Sequence, residues 1–217
     1  MPQTDGQTIL LLAGQIKLSA TAYSQGDFAQ ALQIAKKLFP QDQARLQLFT
    51  YANSNTTNSI RRKPFPFLEP KKLAKEQTYL QLYSPVAGRY VYGQAEERIE
   101  GSAIEWRKPD PDEHVKVSAK AADGSLYILT LSGGWRTGFK PGLYSKAAQL
   151  GLNSRSPAIA FNGAGTFKYG QFMVYQVEWT DAEKKTLSRL AVDFLGSGTG
   201  DTKDVCYGKL RYRSNYE

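Results

Sequence analysis

The strongest constraint on the fold is a two-residue alternation of apolar and polar side chains in the second half of the chain. Val115–Ala119 alternates, Asp123-Gly124 supplies a turn with positive backbone φ, and Leu126–Leu131 follows as a mostly apolar run. This order predicts a β-hairpin, because successive strand residues point to opposite faces and Asp-Gly is a preferred hairpin turn. We therefore expect a β-rich domain over residues 76–217.

Residues 1–52 carry helical signals instead. Asp27 precedes a run whose apolar residues recur every three or four positions, Gln30 stands three residues further on, and Pro40 ends the run. An acidic N-cap followed by such spacing predicts a helix, and Asp42 predicts the start of another, shorter one. We expect this region to form a helical hairpin.

The same region resembles a helical hairpin of the tetratricopeptide type. The resemblance rests on Leu18, Tyr23, Gly26-Asp27-Phe28, Ala31-Leu32 and the proline near the end of the run. It covers about 30 residues and has no second copy, whereas such repeats close a core only when stacked. It implies an ordinary helical hairpin, or a module that binds protein partners.

Residues 53–75 differ in composition from both neighbouring regions. Asn53–Ser59 is polar and turn-prone, and Arg61-Arg62-Lys63 follows within a proline-rich stretch. Proline lacks the backbone N–H that a regular helix or a central strand needs. We expect a basic, extended linker, which either lies along a polyanion or docks its phenylalanines on the neighbouring domain.

Further along, Leu143–Leu150 is compatible with a short helix. Ala158–Phe161 and Thr166–Trp179, on either side of an Asn-Gly turn, predict a second hairpin. The order of three strands, a short helix and two strands resembles that of the oligonucleotide-binding barrel. The resemblance concerns element order alone, and an unrelated sandwich or curved sheet with one helix has the same order.

A final helix is predicted from Thr180 to Gly196. Thr180-Asp181-Ala182-Glu183 has the form of a capping box, and the apolar residues after it recur at helical spacing. Those residues are Leu187, Leu190, Ala191, Phe194 and Leu195. The expected fold class is therefore α+β, with an N-terminal helical hairpin, a mostly antiparallel barrel or curved sheet, and a C-terminal amphipathic helix.

Charge indicates the class of ligand. The chain has 28 Lys and Arg residues against 20 Asp and Glu, a net charge of +8, and Gly124–Val177 contains five basic residues, nine aromatic rings and no acidic residue. Cations bind phosphates, and aromatic rings stack on unpaired bases. This composition favours nucleic acid as the partner, single-stranded DNA or RNA in particular, ahead of an anionic membrane surface. The alternative is a basic surface without a ligand.

The predicted contact residues lie in turns and in the basic linker, because the strands are expected to supply the core. Three aromatic residues are predicted to stack on bases: Trp135, Phe139 and Tyr169. Six cations are predicted to bind phosphates: Arg61, Arg62, Lys63, Arg136, Lys140 and Lys168. The prediction requires Arg61–Lys63, Trp135–Lys140 and Lys168-Tyr169 to lie close together in the folded protein.

The sequence contains no recognisable catalytic or cofactor signature. With Cys206 as its only cysteine and His114 as its only histidine, the chain lacks the ligands for a zinc site built from several such residues. Leu195–Asp201 resembles the glycine loop of S-adenosylmethionine-dependent methyltransferases, but too little chain follows for that fold. We expect no cofactor. The short apolar run Ile9–Ala13 fits neither a signal peptide nor a membrane span, so we expect a cytoplasmic protein.

Two other functions fit parts of the sequence. An adaptor, or a subunit of a larger nucleoprotein assembly, would dock through residues 1–52. A metal-dependent nuclease would use Asp112 and the acidic residues between Glu96 and Glu113, since carboxylate oxygens suit Mg²⁺. The lysine that restriction-type nucleases carry on a later strand is missing from Val177–Thr180.

Overall fold

The chain divides into two compact units, Met1–Asn58 and Ser59–Glu217. The structure, a computed structural model, describes residues 6–92, 94–107, 115–134, 138–149, 156–181 and 186–217. The first unit holds helices and the second a sheet. The predicted order of N-terminal helices followed by a barrel-like sheet is confirmed. The boundary after Asn58 assigns the predicted basic linker, from Ser59 onward, to the second unit.

The described part of the first unit contains three helices: α1 (Gly6–Gln25), α2 (Phe28–Leu38) and α3 (Gln43–Ser54). The Asp27 carboxylate accepts a hydrogen bond from the Gln30 N–H at 3.0 Å, and the Asp42 carboxylate accepts one from the Arg45 N–H at 3.0 Å. Each aspartate satisfies an N–H that the first helical turn leaves without a partner, so both predicted starts are confirmed. Among the described residues, no helix is long and apolar enough to cross a membrane.

The described part of the second unit forms one sheet of ten strands. They are β1 (Lys72–Tyr83), β2 (Glu96–Glu100), β3 (Ile104–Arg107), β4 (Val115–Lys120), β5 (Leu126–Ser132), β6 (Gly142–Ala148), β7 (Ala158–Asn162), β8 (Tyr169–Trp179), β9 (Leu187–Ser197) and β10 (Cys206–Tyr216). The predicted β4–β5 hairpin is confirmed, with Gly124 at φ +89° in its turn.

The strand order is β2-β1-β10-β9-β8-β6-β7-β5-β4-β3. Neighbouring strands are antiparallel except β6 and β7, which are parallel. The two edge strands, β2 and β3, are consecutive in the chain and are joined by the single 3₁₀ turn Gly101–Ala103. The sheet therefore curls into a nearly closed barrel around an apolar interior.

The C-terminal helix predicted over Thr180–Gly196 is wrong, because β9 occupies the apolar part of that segment. The register between β8 and β9 shifts between Glu178 and Trp179, which leaves one extra residue in β9. This bulge lets Leu187 and Leu190 both face the barrel interior although they are three residues apart. Three-residue spacing is helical, so the bulge produced the misleading pattern.

The short helix predicted over Leu143–Leu150 is also wrong, and for the same reason. The segment forms β6, whose register against β8 shifts between Tyr144 and Ala147. Both residues pack into the core with helical spacing. The predicted pairing of β7 with β8 fails too, because β6 lies between them. The resemblance to the five-stranded oligonucleotide-binding barrel depended on this helix and is not supported.

Residues 59–70, here called the basic arm, begin with a turn and then run along the outside of the barrel. The Phe65 side chain is buried, with its ring centroid 4.9 Å from that of Phe67 and 5.6 Å from that of Tyr207 on β10. The Tyr175 hydroxyl on β8 donates a hydrogen bond to the Leu68 carbonyl at 2.6 Å. The arm thus covers part of the outer sheet surface.

A buried ion pair lies on the same outer face of the sheet. Arg211 is 0% exposed and Asp193 is 1% exposed, and Arg211 Nη1 lies 2.7 Å from Asp193 Oδ1. The Tyr207 hydroxyl donates to the other carboxylate oxygen at 2.8 Å. The Arg211 guanidinium lies 5.9 Å from the ring centroid of Tyr79 and 5.8 Å from that of Tyr175. This charge is therefore neutralised and enclosed inside the protein.

Candidate nucleic-acid interface

An open cleft of about 460 Å³ lies where the basic arm meets β6 and β8. It is lined by Ser59, Arg61, Arg62, Ser145, Lys146, Ala147, Ala148, Tyr169 and Gly170. Among the described residues, this lining contains three cations and no carboxylate. Small-ligand pockets measure roughly 300–1,000 Å³, so the cleft has room for a group of nucleotide size.

The β6 bulge places one of these cations. Because Tyr144 and Ala147 both face the core, the residues between them are displaced outward from the regular alternation. Lys146 is exposed as a result, and it lines the cleft beside Ser145. The feature that misled the helix prediction is thus the one that brings Lys146 into the cleft.

Gln171 on β8 fixes the backbone of the basic arm from beneath. Its side chain is 1% exposed, and its Oε1 accepts a hydrogen bond from the Phe65 N–H at 2.7 Å. Its Nε2 donates to the Lys63 carbonyl at 2.9 Å and to the Ile60 carbonyl. The turn between Ile60 and Phe65 is held at both ends, so its cations stand on a fixed backbone.

Arg61 packs on the ring of Tyr169. The guanidinium carbon lies 4.6 Å from the ring centroid, which is within cation–π distance. The ring also lies against Gly200, where a Cβ atom would come within 3.0 Å of Tyr169 Cδ2. Gly200 has φ +86°, so both its conformation and its space favour glycine. Tyr169 is therefore a half-buried support, and Arg61 is the exposed member of the pair.

The three cations of the cleft are not neutralised by ion pairs within the described ranges. Arg61, Arg62 and Lys146 form no ion pair with any described residue. Asp201 lies in the neighbouring turn, where its backbone forms a β-bridge with Ser59. Its carboxylate accepts a hydrogen bond from the Lys203 N–H at 2.9 Å and forms no ion pair with the cleft cations. The charged side chains among the described lining residues are therefore all positive, which favours an anionic ligand.

The structure brings some of the predicted site residues together. Arg61, Arg62 and Tyr169 line the cleft. Lys63 is an exposed residue of the same turn, and Lys168 is exposed directly before β8, where its N–H donates to the Ser197 carbonyl at 2.9 Å. Two of the three segments that the prediction required to converge, Arg61–Lys63 and Lys168-Tyr169, are thus neighbours.

The described end of the third segment, Phe139 and Lys140, lies apart from the cleft. Lys140 precedes β6 at the end away from the cleft, roughly 20 Å along the strand. Phe139 is 3% exposed and stacks on Tyr144 and Phe172 at centroid distances of 6.1 and 6.2 Å. Its ring belongs to the core and has no open face for a base. Trp135 and Arg136 lie outside the described residues.

Sequence reasoning missed Lys146, which lines the cleft, and Gln171, which holds the basic arm from beneath. Lys146 was assigned to a helix, and Gln171 carries no charge or ring to single it out. The sequence does contain a pattern consistent with a bulge, because two residues, Ser145 and Lys146, separate the apolar residues Tyr144 and Ala147 where a regular strand would have one. For Gln171 no local signal exists, because its partners lie more than 100 residues earlier in the chain.

Three of the acidic residues considered for a nuclease accept hydrogen bonds from neighbouring side chains. Glu96 accepts a hydrogen bond from Gln81, Glu97 from Gln94, and Glu100 from Arg98. Within the described ranges, no group of three or more His, Cys, Asp or Glu side chains is arranged to hold a metal. Asp110, Asp112, Glu113 and His114 lie outside these ranges, and the nuclease stays a prediction.

Two other chemically reactive or charged groups, Cys206 and Asp204, have structural surroundings. Burial raises the pKa of the Cys206 thiol, which lies in the core. Asp204 receives hydrogen bonds from the Arg89 guanidinium at 2.7 Å and the Tyr90 hydroxyl at 2.8 Å, and the Tyr90 hydroxyl accepts one from the Gly198 N–H at 2.6 Å. Burial raises the pKa of Tyr90 above its usual value of 10.0, so this hydroxyl is a neutral cross-link between two loops.

Comparisons with protein-family models, with curated proteins and with solved structures yielded no match to this chain.

Proposed function

We propose that the second unit binds single-stranded nucleic acid, without catalysing a reaction on it, at the cleft between the basic arm, β6 and β8. One observation carries the proposal: Arg61, Arg62 and Lys146, from two segments far apart in the sequence, converge around an open cleft whose described lining includes no carboxylate. Exposed cations are normally distributed among acidic residues, whereas these three lie together and form no ion pair with a described residue.

The arrangement suits a phosphate backbone. Arginine offers several N–H donors in a plane that matches phosphate oxygens, and lysine adds a point charge. The Gln171 hydrogen bonds hold the arm before any ligand arrives, which lowers the entropy cost of binding. Lys63 and Lys168, exposed near the cleft, extend the positive surface along which a strand would run.

The test is binding of fluorescent single-stranded and duplex oligonucleotides at low and moderate salt, measured by anisotropy. We expect affinity to fall steeply with salt, and Arg62→Ala and Lys146→Ala each to reduce the slope of log affinity against log salt by about one. Lys120→Ala removes the same charge from an exposed position at the end of β4 and is the matched control.

Two results would overturn the proposal. One is an affinity no greater than that of an unrelated protein with a similar net charge. The other is an equal loss of affinity in Lys120→Ala and Arg62→Ala, since that would assign binding to overall charge and not to the cleft.

A further inference from the structure

The contact between Arg61 and Tyr169 assigns these residues different roles from those their types suggest. Residue type alone predicts that Tyr169 stacks on a base and that Arg61 binds phosphate. In the structure the guanidinium of Arg61 already lies on the tyrosine ring, 4.6 Å from its centroid. A base cannot stack on that ring face unless Arg61 leaves it.

We infer that Arg61 itself is the stacking surface for an unpaired base, with Tyr169 as its support, while Arg62 and Lys146 hold the adjacent phosphates. This inference rests on the proposed function and specifies its ligand as a strand with accessible bases. A guanidinium is planar and weakly hydrated, and it stacks on nucleobases as aromatic side chains do.

Two features of the pair favour this role. The electron-rich ring face holds the guanidinium in one orientation, so less side-chain entropy is lost when a base is bound. Arg61 is exposed and has no carboxylate partner among the described residues, so no ion pair has to break first. Tyr169 in turn is held by Gly200, whose missing side chain leaves the space that the ring occupies.

The experiment compares a thymidine oligonucleotide of about ten units with an abasic DNA strand of equal length, which has the same phosphates and no bases. We expect the wild-type protein to prefer the base-containing strand about tenfold. Arg61→Lys keeps the charge but loses the plane, so its preference should fall close to one while its salt slope stays unchanged. Arg62→Lys is the matched control and should keep the preference.

Variants of Tyr169 test the supporting role. Tyr169→Phe keeps the ring and should keep the preference, whereas Tyr169→Leu should reduce it several-fold. Thermal unfolding of each variant checks that the barrel is intact.

The outcomes separate the two proposals. If Arg61→Lys retains the full preference, or if wild-type protein binds both strands equally while Arg62→Ala still weakens binding, Arg61 is not a stacking surface and the cleft is a phosphate site only. If neither strand binds above the background of an unrelated basic protein, the proposed function fails and this inference fails with it.

Discussion

Arg61 and Arg211 both lie over tyrosine rings, yet their surroundings are opposite. Arg211 is fully buried between Tyr79 and Tyr175 with a carboxylate 2.7 Å away. Arg61 lies on Tyr169 in an open cleft, with no carboxylate partner in the described residues. The same pairing of side chains is thus structural at one place and open to a ligand at the other.

The surroundings of the guanidinium distinguish a structural arginine from one that is available to a ligand. A ring beneath a guanidinium restricts its orientation in both cases, so the ring alone says little about function. The buried carboxylate of Asp193 shows that Arg211 is structural, because it already neutralises the charge of the guanidinium. Burying such a pair is costly, and losing one partner is costlier, since it leaves a charge that the interior cannot solvate.

The largest effect is expected from Asp193→Ala, which removes the counter-ion of Arg211. The stranded guanidinium should lower the free energy of unfolding by about 3 to 5 kcal/mol, measured by urea denaturation. Replacing both partners, Asp193→Leu with Arg211→Met, should recover most of that loss. Glu76→Ala breaks an exposed ion pair with Arg189 and should have little effect. Similar small losses in Asp193→Ala and Glu76→Ala would contradict a structural role for Arg211.

The next largest effect is expected from Gln171→Leu, which removes the side-chain hydrogen bonds that hold the basic arm on the barrel. One N–H and two carbonyls lose their partner, which should cost about 2 to 4 kcal/mol of unfolding free energy. Oligonucleotide affinity should fall as well, because the cleft loses its fixed wall. Gln81→Leu, whose amide makes exposed contacts on β1, is the control for both measurements. A destabilised Gln171→Leu with unchanged affinity would show that binding does not need the anchored arm.

A smaller effect is expected from alkaline pH, and it concerns the tyrosines around Arg211. Burial raises the pKa of Tyr207 and of Tyr175 above the usual 10.0. Above pH 10 the unfolded chain therefore loses these protons while the folded protein keeps them. The stabilisation is complete below pH 10 and is lost as the pH rises through the folded-state values.

Urea unfolding of wild type and Tyr207→Phe between pH 8 and 11 measures this contribution. Loss of the hydrogen bond to Asp193 should cost about 2 kcal/mol at pH 8, and the variant should then lose stability less steeply above pH 10. Lysine deprotonation is common to both proteins, so the difference in slope isolates Tyr207. Parallel curves would mean that its hydroxyl is accessible to ionisation in the folded state.

The sequence predicts a helix start or a turn correctly where the interactions that form it connect residues close together in the chain. Asp27 and Asp42 cap helices through hydrogen bonds three residues away, and Asp123-Gly124 sets the turn between two consecutive strands. Bulges defeated the same reasoning. One extra residue in a strand brings Leu187 and Leu190 to one face, and three-residue spacing then imitates a helix.

The candidate site was predictable in part for a similar reason. Arg61, Arg62 and Tyr169 belong to residue types that mark nucleic-acid contacts, and all three line the cleft. That Arg61 covers Tyr169 depends on how the arm docks across the barrel, which no local pattern encodes. Phe139 shows the converse, since a ring beside glycines and a lysine turned out to be core.

The hydrogen bonds of Gln171 to the basic arm join segments that lie far apart in the chain. Gln171 follows Phe65 by 106 residues, and Tyr207, against which Phe65 packs, comes later still. Closing so long a loop carries an entropic cost that is recovered only once the strands between are in place. The cleft needs Tyr169 and Gln171 of β8, so a chain released before β8 has formed carries the arginines without the geometry. Selective binding of bases would thus report completion of the barrel, something its positive charge alone cannot do.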